Sequence, residues 1–476
     1  MNPEEPTPVE PLDGPTDFFD VTEIARAAAK EAAARKAAAE EAAARSRAQE
    51  TARAAIDGGS NDGQRVEVTA FATEGVPAAD VAVAVEPDPA SATESEDGRD
   101  AENVPCVESE PECEPEPSFP EVSAHPVFSV IMPCYNSAPY IDAAVDAMEA
   151  QTFTDWELIC VDDGSPDDVS MRIHERAMRD SRVRLVRHRS NQGLAAARNT
   201  GLVNACGYYV WMPDPDDTYE PDTLELVNQQ IEAAHPDVVV FGAQEEYFDA
   251  EGTVNSTRLV HLPFSGVLSG DILHRSVLTL EESTLYGYAW NKVYRASALR
   301  EILFEDVPLI EDILFNVRVF DHAGSVAFVP RPLYHYAKRE QANLTNRFVP
   351  EYYDVHRRRI SALFAQQCAW GLDTPDTRSR LGSLFVRYIV SALERNCDAR
   401  SGMKHADRIQ FCEKVMHDEL FRKLVLVAEP RNSRSLAYAC RVMRSRSAAR
   451  FCRFGRLVHI VKRISSPFVA RIKAQR

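Results

Sequence analysis

The sequence predicts an α/β fold: a mostly parallel sheet with helices on both faces, followed by a helical region. Three observations carry that expectation. Strand-like and helical stretches alternate over about 120 residues from Val127 onward. Each strand-like stretch ends in a polar cluster, and after Pro350 apolar residues return at helical spacing. Sheets of this kind bind ligands beyond the carboxyl ends of their strands.

Taken in order, "VFSVIMPCYN" reads as a buried strand that contains Pro133, and "YIDAAVDAMEAQ" has helical spacing. "WELICVDDGS" is a second strand closing in a turn, and a helix from Val169 to about Arg179 leads to the strand "RVRLVRH". Helical "LAAARNTGLVNA", the strand "YYVWM", helical "PDTLELVNQQIEAA" and the strand "DVVVFGA" complete the series. The clusters at the strand ends are Tyr135 and Asn136, then Asp162 and Asp163, then Asn191, then Asp214 to Asp217. The crevice rule brings all four to one site.

The crowding of Asp214, Asp216 and Asp217 in "WMPDPDDTYEPD" is the sharpest chemical signal. Neighbouring carboxylates repel and raise one another's pKa, so the arrangement costs free energy unless a cation or a set of donors offsets it. A divalent metal is the simplest offset. The competing reading is a solvated turn in which Asp217 and Thr218 cap the next helix. Pro215 fixes its own backbone and biases Asp214 toward an extended conformation.

A chain of 476 residues implies two or three folded units. Residues 1–125 hold 29 acidic and 9 basic side chains, and so carry the whole formal charge of −20. They read as an acidic low-complexity tail, helical from 22 to 56 and otherwise disordered, because so little apolar surface cannot offset the ordering entropy. From Arg431 to Arg476 there are 13 Lys and Arg and no carboxylate. The boundaries expected from these shifts are 126–346 for the α/β domain, 347–446 for the helical region and 447–476 for a basic amphipathic tail. In that tail Phe451, Phe454, Leu457, Val461 and Ile464 fall near one helical face, with Arg453, Arg456, Lys462 and Arg463 elsewhere around it. Such a helix suits an anionic membrane surface; the alternative is a surface helix docked by its apolar stripe. The basic run lacks a nucleic-acid reading motif. The ten cysteines match neither zinc-ligand spacing nor a disulfide scaffold. With no secretory h-region and no apolar run near the roughly 18 residues of a span, a cytoplasmic protein is expected, peripheral at the inner face of the plasma membrane through its basic end.

"SVIMPCYNSAPYI", "ELICVDDGSPDD", "NQGLAAARNTGL" and "MPDPDDTYEPDTLE", in this order and spacing, resemble the nucleotide-sugar domain of family 2 glycosyltransferases with the Rossmann-like GT-A fold. The likeness extends through "YAWNKVYRASAL" and "LIEDILFNVRVF" and fades in "PLYHYAKREQANLTN". It implies that Pro133 and Tyr135 line the base pocket, that Asp163 accepts from a uracil ring, and that Asn191 and Arg198 border the nucleoside and phosphates. Asp214 and Asp216 match the DxD motif, Asp216 being the direct ligand of Mn2+ or Mg2+. For an inverting transfer the base would be Asp312, with Glu311 positioning it. Trp290, Asn291 and Lys292 would form the acceptor side, with His335, Lys338 and Arg339 closing on the diphosphate. The implied function is transfer of a sugar from a nucleotide-sugar donor to a glycan or lipid-linked acceptor in cell-surface polysaccharide synthesis.

Cys134, Pro213 and Pro215 depart from the usual pattern. Taken singly, the motifs have structural explanations: Tyr135 and Trp290 as core, Asp312 as a helix cap. Two other functions compete. A nucleotidyltransferase needs a Gly-rich phosphate loop after the first strand, and "PCYNSAPY" has no glycine. A catalytically inactive sugar-nucleotide-binding or scaffold protein is the other.

Overall fold

Seven consecutive residues, Phe128–Cys134, form β1 and are all buried, as are the seven of β2, Trp156–Asp162. A strand covered on both faces can be apolar at every position. That is the chemistry of "FSVIMPC" and "WELICVD", with Ser129 and Glu157 paired to each other where polarity intrudes. The computed structural model describes residues 125–249, 251–339, 348–431 and 433–473, without the side chains of 465–473. The expected tail helix over 22–56, the expected disorder around it and the end of "PLYHYAKREQANLTN" lie outside the described residues.

Helix α1 (Ala138–Glu149) follows β1, and α2 (Val169–Ala177) links β2 to β3 (Val183–Arg187). Helix α3 (Leu194–Asn204) leads into β4 (Tyr209–Trp211), and α4 (Thr223–Ala234) joins the two-residue β5 (Thr218–Tyr219) to β6 (Val238–Phe248). β3, β2, β1 and β4 pair in parallel in that order, as the alternating pattern requires. Gly201 lets α3 lie against β1: a methyl there would sit 2.1 Å from Ile131 Cγ2. That close approach holds the helix that carries Arg198 over the carboxyl end of the sheet.

Beyond β4 the sheet is mixed. β9 (Lys292–Arg295) runs antiparallel between β4 and β6, and β10 (Ser325–Lys338) returns parallel to β6. β5 and β8 (Gly266–Ser269) pair antiparallel with β10, and β7 (Val254–Val260) antiparallel with β6. Parallel order therefore describes one half of the sheet, and the other half contains short strands paired antiparallel. Helix α5 (Gly270–Glu282) follows β8, and α6 (Glu311–His322) precedes β10.

The helical region is as expected in kind. It comprises α7 (Tyr352–Ala369), α8 (Pro375–Arg395), α9 (His405–His417), α10 (Glu419–Leu424), α11 (Arg434–Arg444) and α12 (Ala448–Lys473). α8 starts with Pro375 in its first turn and Thr374 accepting from the Thr377 N–H at 3.1 Å, and buries Leu381, Phe385 and Ile389. α12 packs on α8 and α9 through Phe451, Phe454 and Val458. The apolar stripe expected to meet a membrane is thus divided. Phe451 and Phe454 are core, while Leu457 and Ile464 stay exposed.

Candidate active site

Each functional side chain takes its position from the end of a strand or the start of a helix. Asp162 and Asp163 end β2. Asp162 is fully buried and accepts from the Ser165 N–H at 2.8 Å and from the Ser170 hydroxyl. Asp163, 3% exposed, accepts from the Gln192 and Gly193 N–H groups at 2.8 and 2.7 Å and from His188 Nδ1 at 2.6 Å. His188 Nε2 faces Thr200 Oγ1 at 2.9 Å. Three donors therefore already occupy the carboxylate expected to read a uracil ring, and its visible work is to hold the 188–193 loop. Asn191, on that loop, is exposed, as is Tyr135 at 48%; Pro133 is buried within β1.

The centre of the site is Arg198. It projects from α3, is 1% exposed, and donates from Nη2 to Asp214 Oδ1 at 3.2 Å and from Nη1 to Asp312 Oδ1. Asp214 and Asp312, far apart in sequence, thus share one guanidinium. The Phe304 ring lies 5.3 Å from that guanidinium carbon, held there by Asn199, which bonds both the N–H and the carbonyl of Phe304. Asp312 also accepts from the Ala289 N–H at 3.0 Å.

Glu311 begins α6 beside it, with Oε2 buried and without a hydrogen-bond partner. Burial first, and the charge of Asp312 second, push the Glu311 pKa up to about 7 from 4.5. Between those values the folded chain retains a proton that the unfolded chain has lost. The stability from this group is therefore full below about pH 4.5 and is lost as pH rises through about 7. Glu311→Gln is expected to flatten the fall in stability of the ligand-free protein between about pH 5 and 7 in urea melts. An unchanged slope would locate the titration elsewhere.

The acidic turn is clamped by β10. Tyr334 donates its hydroxyl to Asp217 Oδ2 at 2.7 Å and accepts from the Asp214 N–H at 3.0 Å, and the Ala337 N–H donates to Asp217 Oδ1 at 2.8 Å. Asp217 is buried and spends both oxygens on β10. Arg339 reaches the Asp216 carboxylate at 3.0 Å and its carbonyl at 2.8 Å, with Tyr140 and Phe248 rings 4.8 and 4.7 Å from its guanidinium carbon. Desolvation raises the pKa of Asp216, and of Asp214 to about 6; Arg198 opposes it in Asp214, while Asp216 and Asp312 add to it. Two arginines therefore leave the turn short of positive charge. Carboxylate oxygens with a charge deficit, and Asp216 partly open to solvent, suit a hard divalent cation. Among the described residues no group of three or more His, Cys, Asp or Glu forms a self-sufficient metal cage.

Several expected contacts lie elsewhere. Lys292 is fully buried, and its Nζ donates to the carbonyls of Leu285 and Tyr288 at 2.7 and 2.6 Å and to Asn291 Oδ1 at 2.9 Å. Three acceptors match the three protons of an ammonium, although burial pulls the pKa down to about 7. Its donors are spent on the fold, so it offers an acceptor nothing. Trp290 is 3% exposed and stacks on Tyr334 and Tyr288 at 4.4 and 4.7 Å, so it supports the site from beneath. Asn291 is buried against the Phe241 and Leu285 carbonyls. His335 bridges Glu246 at 2.9 Å and Glu220 at 3.0 Å, and Lys338 bonds Glu245 at 2.7 Å, so of these three only Arg339, just past β10, touches Asp214–Asp217. Tyr334 and His188 escaped the sequence reading; strand alternation along "LYHYAK" was the signal available for the former.

Residues 129–303 match the model for "Glycosyl transferase family 2". EpsJ, an uncharacterized glycosyltransferase of Bacillus subtilis, is 32% identical over 221 residues, covering 46% of this chain and 62% of the relative. EpsH, a putative glycosyltransferase of the same organism, is 31% identical over 44% of this chain and 60% of its own length. The Staphylococcus aureus poly(ribitol-phosphate) beta-N-acetylglucosaminyltransferase TarS is 28% identical over 48% of this chain and 39% of its own. The chain spans about three-fifths of the length of the two Bacillus relatives. The matched residues 129–303 contain the paired Asp214 and Arg198, so this part of the chain is similar to glycosyl transferase family 2.

Proposed function

We propose that the protein transfers a sugar, with inversion, from a nucleoside diphosphate sugar to a hydroxyl of a glycan or lipid-linked acceptor, as a step of cell-surface polysaccharide synthesis. The observation that carries the reading is the Arg198 bridge between Asp214 and Asp312. It ties the acidic turn to the carboxylate at the start of α6, which is the separation of labour that an inverting displacement needs: one group for the leaving diphosphate, another for the incoming hydroxyl. UDP is proposed as the nucleotide on the motif resemblance, with Tyr135 and Pro133 at the base and the loop held by Asp163 presenting Asn191 beside it.

Asp216, and Asp214 with it, would hold Mn2+ or Mg2+. When bound, the ion would neutralise charge building on the departing diphosphate. Arg198 fixes the facing carboxylates. Asp312 meets that guanidinium as a carboxylate, lies at a helix N-terminus that favours an anion, and takes the proton of the acceptor hydroxyl. Glu311, whose pKa burial and the charge of Asp312 push up, serves as its neighbour.

The test is a thermal-shift screen of sugar nucleotides with and without Mn2+, since a bound ligand raises stability by mass action. A UDP-sugar is expected to raise the melting temperature only with metal present. Asp216→Ala is expected to remove that shift, weakening metal-dependent UDP binding by about a hundredfold, on the order of 3 kcal/mol. A metal-dependent shift that survives in Asp216→Ala would move the ion elsewhere, and no shift with any sugar nucleotide would defeat the proposal.

A further inference from the structure

The carboxyl-terminal helices carry a surface that the transfer reaction does not use. α12 turns Phe451, Phe454 and Val458 inward, and Gly455 makes the approach possible: a methyl there would lie 2.8 Å from Leu393 Cβ. The opposite face of the same helix presents Leu457, Ile460 and Ile464, exposed by 48, 44 and 50%. Their i, i+3, i+7 spacing puts them in one row. Arg450, Arg453, Arg456 and Arg463 are exposed beside that row. On α11, Arg434, Tyr438 and Arg441, at i, i+4 and i+7, form a second exposed row, with Tyr438 51% exposed. The rows meet where the Tyr438 and Phe454 rings lie 5.8 Å apart, beside a groove of about 230 Å³ that Val442, Arg450 and Leu457 also line.

Most of the arginines on this surface have no ion-pair partner among the described residues. No carboxylate occurs from Arg431 to the end of the chain. Arg431 and Lys462 are drawn to Asp376 and Glu394 of α8, but among the described salt bridges none involves Arg434, Arg441, Arg450, Arg453, Arg456 or Arg463. A solvated basic face would have no use for large apolar side chains between its arginines. A face that enters a lipid headgroup layer needs both: guanidinium groups for the anionic phosphates, and aliphatic and aromatic side chains for the acyl boundary. No described helix is long and apolar enough to cross a bilayer, so the contact is with its surface.

We propose that the exposed faces of α11 and α12 dock the protein on an anionic lipid surface, with Tyr438, Leu457, Ile460 and Ile464 as the inserting side chains. This goes beyond the transfer reaction and stands whether or not that reading holds. The full chain is expected to cosediment with phosphatidylglycerol-containing vesicles and not with vesicles of phosphatidylcholine alone. Arg453→Glu with Arg456→Glu is expected to weaken vesicle binding at least ~tenfold. The triple change Leu457→Ser, Ile460→Ser, Ile464→Ser removes only exposed side chains, so folding should persist; it is expected to abolish most vesicle binding while leaving retention on immobilised heparin unchanged. Three results would overturn the proposal. The full chain could remain in solution with anionic vesicles, as when a charged segment of its own covers the face. The triple variant could bind vesicles as well as the parent, which would reduce the surface to a polyanion site. A dimer in light scattering that the triple variant splits would give the face to a second copy.

Discussion

Asp312→Asn is expected to lower kcat for sugar transfer by about 10²- to 10⁴-fold, the usual range for loss of a general base, while the dissociation constant for UDP with metal stays within about threefold of the parent. The substitution is not structurally silent. Asp312 accepts from both Arg198 and the Ala289 N–H, and an asparagine has one acceptor oxygen to share between them. Some loss of stability is therefore expected, on the order of 1–3 kcal/mol for an unsatisfied buried donor. The melting temperature must be measured beside the kinetics, and transfer assayed well below it. If UDP binding falls in step with kcat, the carboxylate belongs to the donor site and the base must be sought elsewhere, with Glu311 next in place. If kcat is unchanged in a folded variant, the base assignment fails outright.

The half of the fold that follows the alternating pattern could be read because burial wrote it in apolar side chains: β1 and β2 are covered on both faces and show unbroken apolar runs. The other half could not. β9 is four residues, "KVYR", with a buried lysine at its start, and β5 is only Thr218–Tyr219. Elements so short carry no period, and their pairing is decided by strands far away in sequence. A similar limit divides the site. Repulsion among Asp214, Asp216 and Asp217 is a local property, visible in the order of residues. The Tyr334 hydroxyl that holds two of them acts across 117 and 120 positions. Lys292 shows a related limit: expected on the acceptor side beside Trp290 and Asn291, it is buried, and only the fold reveals three acceptors closing around its ammonium. The divided stripe of α12 makes the same point, since an amphipathic pattern tells which residues share a face and not what covers them.

Arg198→Met is expected to cost more stability than any single change at the acidic turn, about 3–5 kcal/mol, the usual penalty for stranding the partners of a buried ion pair. The guanidinium is 1% exposed and lies between Asp214 and Asp312, with Glu311 also in its field. Methionine fills much of the volume but leaves these carboxylates facing one another with nothing between them. Chemical denaturation of the ligand-free protein should show the loss directly, and UDP binding should fall with it because the acidic turn loses its tie to α3. Neutralising a stranded partner should recover part of the loss: the double variant Arg198→Met, Asp312→Asn is expected to be more stable than Arg198→Met alone, a non-additivity that contacting residues produce and distant ones do not. It should remain inactive, since both the tie and the base are gone. Were Arg198→Met to unfold at the parent's denaturant midpoint, the carboxylates would not depend on this cation for their positions, and the coupling between turn and base on which the mechanism rests would be absent.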